Sequence, residues 1–167
     1  MRVVRILRRN RRGSAAVEMA LVMPFLLVIM MGSAELGNYF MNEHKLVKAV
    51  RDGARFAARR PFSDYPTCTS VTTNLRDDTR NVVMNGYLSG GSTLTPNIQA
   101  GNITVATNCT TTAGGQTMLG IYRYRTDGAQ IVTVSATVTY WPILASFGFR
   151  GLNMTLNASS ESAVGGI

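Results

Sequence analysis

The apolar and polar positions along the chain change period twice. From Ser14 to Ala34 the sequence is almost wholly apolar: Glu18 is the one ionisable residue in 21 positions, and Met19 to Met31 (MALVMPFLLVIMM) forms the centre of the run. From Leu36 to Ala57 a three-four spacing runs through Leu36, Tyr39 and Phe40, Glu43, Leu46 and Val47, Val50, Ala54 and Ala57. Lys45, Lys48, Arg51, Asp52, Arg55 and Arg59 fall largely off that stripe, as expected for an amphipathic helix. Further on the period drops to two. Ile103 and Val105 alternate with polar neighbours in Asn102–Thr107; Val132, Val134, Ala136, Val138 and Tyr140 do so in Gln130–Trp141; Leu152, Met154, Leu156 and Ala158 do so in Leu152–Val164. Alternation of this kind is the pattern of a strand with one buried face.

These patterns predict one helix from Ser14 to Arg59, about 70 Å long at 1.5 Å per residue. Its first half has the length of a membrane span. Its second half reads either as an amphipathic stalk or as a core helix. A second helix is expected over Val71–Leu88, with Val71, Leu75, Val82, Tyr87 and Leu88 on one face, Ser70 or Thr72 as its cap and Gly90-Gly91 as its end. Leu119–Arg125 is expected to pair with Gln130–Trp141 through a turn at Thr126–Ala129. Together these give an α+β fold: a long N-terminal helix, then a small domain with one helix on an antiparallel sheet.

Composition places the boundaries. Residues 1–60 contain no Thr, whereas 61–167 contain 18 Thr and 12 of the 16 Gly. Pro61 and Pro66 bracket the change, and a Pro ends a helix just before it. The organisation expected is therefore a basic leader (1–13), a transmembrane helix (14–34), an amphipathic helix (35–60) and a globular domain (61–167).

The charge sharpens this picture. The chain carries 17 Lys+Arg against 9 Asp+Glu, a net charge of +8, which on its face suggests nucleic acid. Six of those charges, Arg2, Arg5, Arg8, Arg9, Arg11 and Arg12, crowd into the first 13 residues, and residues 61–167 balance five against five. The excess is a topology signal: it holds the N-terminus in the cytoplasm and sends the domain outside. Insertion is favourable, since eight large apolar residues supply roughly −2.5 to −5 kcal/mol against at most about +3 for one acid. Pro24 removes a backbone donor and frees the carbonyl of Ala20, which membrane helices tolerate. Tyr122-Arg123-Tyr124-Arg125 interleaves rings and cations, but beside a neutral domain it reads as an edge or partner surface. Catalysis is not expected: His44 stands alone, and no nucleophile–base pair, acid pair or phosphate loop is visible. No metal or cofactor is expected.

Arg11-Arg12-Gly13-Ser14-Ala15-Ala16-Val17-Glu18 joins a basic leader, a Gly, small residues and a Glu five positions after that Gly, all ahead of an apolar helix. The arrangement resembles a type IV prepilin. That resemblance implies cleavage by a membrane prepilin peptidase between Gly13 and Ser14. Over about 48 residues the segment is similar to the TadE-like pseudopilins of tight-adherence (Flp-type) pilus systems, whose pattern falls here on Gly13, Glu18, Pro24, Glu35 and Ala49–Arg60. Met19 stands where major Flp pilins carry Tyr, and the chain is longer than they are, so the resemblance is to a minor pseudopilin. It implies a structural role in the inner membrane, with other pilins or pseudopilins as partners through the N-terminal helix and the C-terminal domain in the periplasm. Glu18 would then set helix register against the new amine of a neighbouring subunit. Two such charges ~4 Å apart attract by about 4 kcal/mol at an effective dielectric near 20, and desolvation takes back much of that. Glu35 reads either as an interfacial helix residue or as an assembly contact. Cys68 and Cys109, the only cysteines, lie in the exported part, where an oxidising compartment favours a disulfide. The competing reading is a secreted or single-pass membrane-anchored periplasmic binding or adhesion protein, because Gly32-Ser33-Ala34 offers small residues to a signal peptidase.

Overall fold

The structure, a computed structural model, describes residues 13–110, 112–113, 116–117, 119–123, 125–148 and 154–166. Arg8, Arg9, Arg11 and Arg12 of the leader, Tyr124 and Leu152 lie outside the described residues.

Helix α1 runs unbroken from Ser14 to Ala58, through Pro24, with Gly13 at its N-cap. At 1.5 Å per residue its 45 residues extend about 68 Å. Its two halves live in different surroundings. Up to Met30 every residue is exposed, Phe25 at 72%, whereas Asn42, Leu46, Ala49, Val50, Gly53, Ala54, Ala57 and Ala58 are buried. The second half is thus the core helix of the domain. Leu36 and Phe40, on the expected stripe, remain exposed, because the helix face turned to the domain here runs through Glu35, Asn38, Tyr39 and Asn42.

The end of α1 is held by side chain and backbone together. The Tyr65 hydroxyl donates to the Ala57 carbonyl at 2.7 Å and the Gly165 amide to that of Ala58 at 2.7 Å, so carbonyls left over at a helix C-terminus find partners. Burial pushes the Tyr65 phenol well above its ordinary range, with the Asp64 carboxylate adding to the effect. Arg60 reaches Asp64 at 2.8 Å and Asp78 at 3.8 Å, tying the Pro61 turn to the second helix.

That helix, α2, spans Thr73–Asn85 with Thr72 as its cap. It ends earlier than the Gly90-Gly91 pair suggested. Gly86 takes the left-handed conformation (φ 77°) and its amide bonds the Val82 carbonyl, the usual stop for a helix. Tyr87 and Leu88 therefore leave the helix and are exposed, and the buried face is Leu75, Thr79 and Val83 rather than one through Val82. This face packs on Gly53 of α1, where an added Cβ would come within 2.4 Å of Val83 Cγ2.

Three antiparallel strands, β1 (Ile103–Thr110), β4 (Ala129–Thr139) and β5 (Thr155–Ala163), form the main sheet in the order β1-β4-β5. Alternation brings like with like: Ile103 faces Ala136, Val105 faces Val134, and Leu156 faces Val138. These residues and Val132 make the core with α1. A separate two-stranded ribbon pairs β2 (Thr112–Ala113) with β3 (Gln116–Thr117). The expected hairpin of Leu119–Arg125 on Gln130–Trp141 does not form. Gly120–Tyr122 is a 3-10 turn, and β1 takes the place beside β4. Tyr122 and Arg125 turn inward: the Tyr122 hydroxyl donates to the Val164 carbonyl at 2.5 Å, and the Arg125 guanidinium lies 4.6 Å over the Phe62 ring.

Cys68 and Cys109 form a disulfide across 41 positions of sequence. Beside it lies buried Gln130, whose amide donates to the Thr67 carbonyl at 3.0 Å and the Thr107 hydroxyl at 3.2 Å.

Reduction of Cys68–Cys109, or its replacement by Ser at both positions, should cost up to about 4 kcal/mol on the chain-entropy account. Urea unfolding with and without reductant measures it. Two glycines of α1 should respond with opposite sign. Gly37 has no neighbour within 4 Å among the described residues, so Gly37→Ala should stabilise by about 0.5–1 kcal/mol. Gly53→Ala collides with Val83 and should destabilise, since overpacking costs about 1–3 kcal/mol against the same gain.

Candidate functional site

Two features of α1 stand out once the domain is in place: the exposed apolar half, and the point where the domain first touches it. Among the described residues, α1 is the one helix long and apolar enough to cross a membrane, and none of its most apolar window is buried. Gly13 lies at its start in a right-handed conformation (φ −90°) with open space around its Cα. Nothing in the described structure needs a glycine there. Ser14 is the first helical residue, and Glu18, four positions on, shares its face and is exposed. Pro24 is accommodated without breaking the helix.

Glu35 marks the point of first contact. Its carboxylate accepts the Tyr140 hydroxyl at 2.5 Å, the Ile143 amide at 3.2 Å and the Leu144 amide at 3.0 Å. These partners lie 105 to 109 positions away in sequence. Local sequence explains why they converge. Tyr140 continues the buried alternation of β4, Pro142 turns the chain, and a 3-10 turn over Ile143–Phe147 begins there with unpaired N–H groups. A carboxylate is the natural acceptor for such amides. Asn38 completes the cluster by donating to the Tyr140 oxygen at 2.7 Å, and Tyr39 packs edge-on to the Tyr140 ring at 5.2 Å. Desolvation, followed by the hydrogen bond to Glu35, pushes the Tyr140 phenol from 10.0 up to about 12.

Of the sequence-derived site residues, the structure brings Cys68 to Cys109 and Glu35 to the domain. Among the described residues, it does not bring Glu18 or Pro24 to any other part of the fold. Sequence reasoning missed Tyr140, Ile143 and Leu144 as partners of Glu35. The one local hint was an aromatic at the end of an alternating strand, just before Trp-Pro. Among the described residues, no group of three or more His, Cys, Asp or Glu comes together.

Apolar cavities flank the junction. One, of about 300 Å³, lies between Val28, Met31 and Gly32 of α1 and Tyr140, Pro142, Leu144 and Met154 of the domain. A second, of about 320 Å³, lies between Leu27, Met30 and Ala34 on one side and Ile143 and Leu144 on the other.

The arrangement is that of an apolar helix carrying a small α+β domain at its far end. The family model described as TadE-like protein matches residues 13–55, which begin at Gly13 and run through the exposed half of α1 into the core. Over this stretch, 43 of the 167 residues, the chain is similar to TadE-like proteins. Comparisons with curated proteins and with solved structures give no match.

Glu35→Ala strands the Ile143 and Leu144 amides and should lower stability by about 2–3 kcal/mol, the scale of hydrogen bonds to a charged group. Emission from Trp141, the sole tryptophan and the neighbour of Tyr140, reports the unfolding locally. The raised phenol predicts an alkaline transition. The fold holds the Tyr140 proton more tightly than the unfolded chain does, so its contribution is complete below pH 10.0 and is lost as pH rises through about 12. Tyr140→Phe should remove that part of the pH dependence of unfolding.

Proposed function

We propose that the chain is a minor pseudopilin, cut by a prepilin peptidase after Gly13, that acts in assembly or initiation of an adhesion pilus of the Tad type. The observation that carries this reading is the coincidence of three boundaries. The family match opens at Gly13, the helix opens at Ser14, and the basic leader ends at Arg12. A glycine that meets no structural need among the described residues supports a requirement imposed from outside, such as a protease that must approach the backbone closely. Cleavage would remove six Arg, leaving 11 basic and 9 acidic side chains. It would place a free amine at Ser14, one helical turn from Glu18.

The apolar half of α1 then serves as membrane anchor and later as the packing surface for other pilins or pseudopilins. The leader arginines hold its N-terminus in the cytoplasm, which puts the domain in the periplasm. The disulfide suits that oxidising side. The role is structural.

Intact-mass measurement on membrane-extracted protein tests the reading. The expected chain begins at Ser14. A chain beginning at Glu35 or an intact Met1 contradicts it. Gly13→Asp should leave the chain 13 residues longer, whereas Glu18→Ala should be cut normally and fail to co-purify with its pilin partners.

A further inference from the structure

We propose that the Trp141–Leu144 segment, with Met154, is a second membrane contact: it seats the near end of the domain in the outer interfacial layer of the bilayer that α1 spans. The proposal rests on the membrane-spanning reading of Ser14–Ala34. Those 21 residues are about 32 Å long, close to the roughly 30 Å of a hydrocarbon core. Ala34 and Glu35 therefore mark the outer boundary.

The domain reaches down to that boundary. Leu144 and Met154 share a cavity with Val28 and Met31, residues that lie inside the span. Ile143 likewise shares one with Leu27 and Met30. Both cavities are apolar and open to the side of the helix, where the surroundings at this depth are acyl chains. Ile143 is 48% exposed at these cavities, and Trp141, 61% exposed, lies on the outer side of the boundary beside Asn38, Asn42 and Lys45, an apolar edge suited to a lipid surface. Tryptophan concentrates at that layer because its ring is apolar and its N–H polar.

Backbone chemistry agrees. The Ile143 and Leu144 amides are bonded to Glu35, and the Ala145 amide to the Pro142 carbonyl, so the turn enters a water-poor layer with those groups satisfied. Charge agrees as well. Trp141–Gly148 and Met154 carry no ionisable side chain, whereas the opposite end of the domain carries the Arg60–Asp64–Asp78 cluster.

Trp141 makes the test direct. The full chain is reconstituted in phosphatidylcholine vesicles bearing bromine at shallow or deep acyl positions, and resistance to alkaline carbonate extraction confirms that α1 is embedded. Shallow bromines should quench Trp141 at least about twofold more than deep ones, with iodide quenching reduced relative to urea-unfolded protein. In a Trp141→Phe, Ile143→Trp chain the quenching should move deeper. Free iodide access without bromine quenching, in a chain that resists extraction, overturns the proposal and leaves the spanning helix intact. Shielding that appears only at high protein-to-lipid ratio, without bromine quenching, assigns this face to a second copy and overturns it too. A chain that carbonate extracts refutes the spanning helix and the proposal together.

Discussion

The Glu35 carboxylate stands where two environments meet. Below it, α1 is exposed up to Met30; above it, the same helix is the spine of a folded domain. One side chain gathers the end of β4 and the following turn through three hydrogen bonds, and so fixes where the sheet begins along the helix. The other end is fixed by the bond from Gly165 to Ala58. The lengths agree. Glu35 to Ala58 covers about 35 Å of helix, and Gln130 to Tyr140 about 33 Å of strand. Sheet and helix thus lie alongside one another over their shared length, pinned at both ends.

This geometry makes α1 serve two purposes with one uninterrupted backbone. Its first half is exposed up to Met30, and its second half uses small residues, Ala49, Gly53, Ala54, Ala57 and Ala58, to let the sheet and α2 approach closely. A force on the apolar half passes to the domain through continuous helical hydrogen bonds, without a linker. That suits the proposed pseudopilin, whose helix would be both anchor and assembly surface.

Much of this was legible in sequence because burial here follows simple periods. The near-absence of charge over Ser14–Ala34, the stripe through Leu46, Val50, Ala54 and Ala57, and the alternation through Val132–Tyr140 each correspond to one face of one element. Three things were not legible, for different reasons. The end of α2 depended on which glycine takes the left-handed conformation, and Gly86 pre-empts Gly90. Thr126–Ala129 has hairpin composition, but pairing needs a neighbouring strand, and Gly120–Tyr122 turns instead. The Glu35 cluster joins residues more than a hundred positions apart, so no local pattern reports it.

The domain's role follows from the same joint. Its near end is apolar and its far end carries the disulfide, the Gln130 network and the Arg60 ion pairs, which orients it relative to the anchor. The central claim is that anchor and core are one rigid helix locked at Glu35. Hydrogen exchange on the bilayer-embedded chain addresses it most directly. The amides from Met31 to Asn42 should exchange as slowly as those of the Leu46–Ala54 core, with no break at Gly32, Ser33 or Gly37. Fast exchange confined to that stretch would reveal a hinge between anchor and domain and would contradict the account.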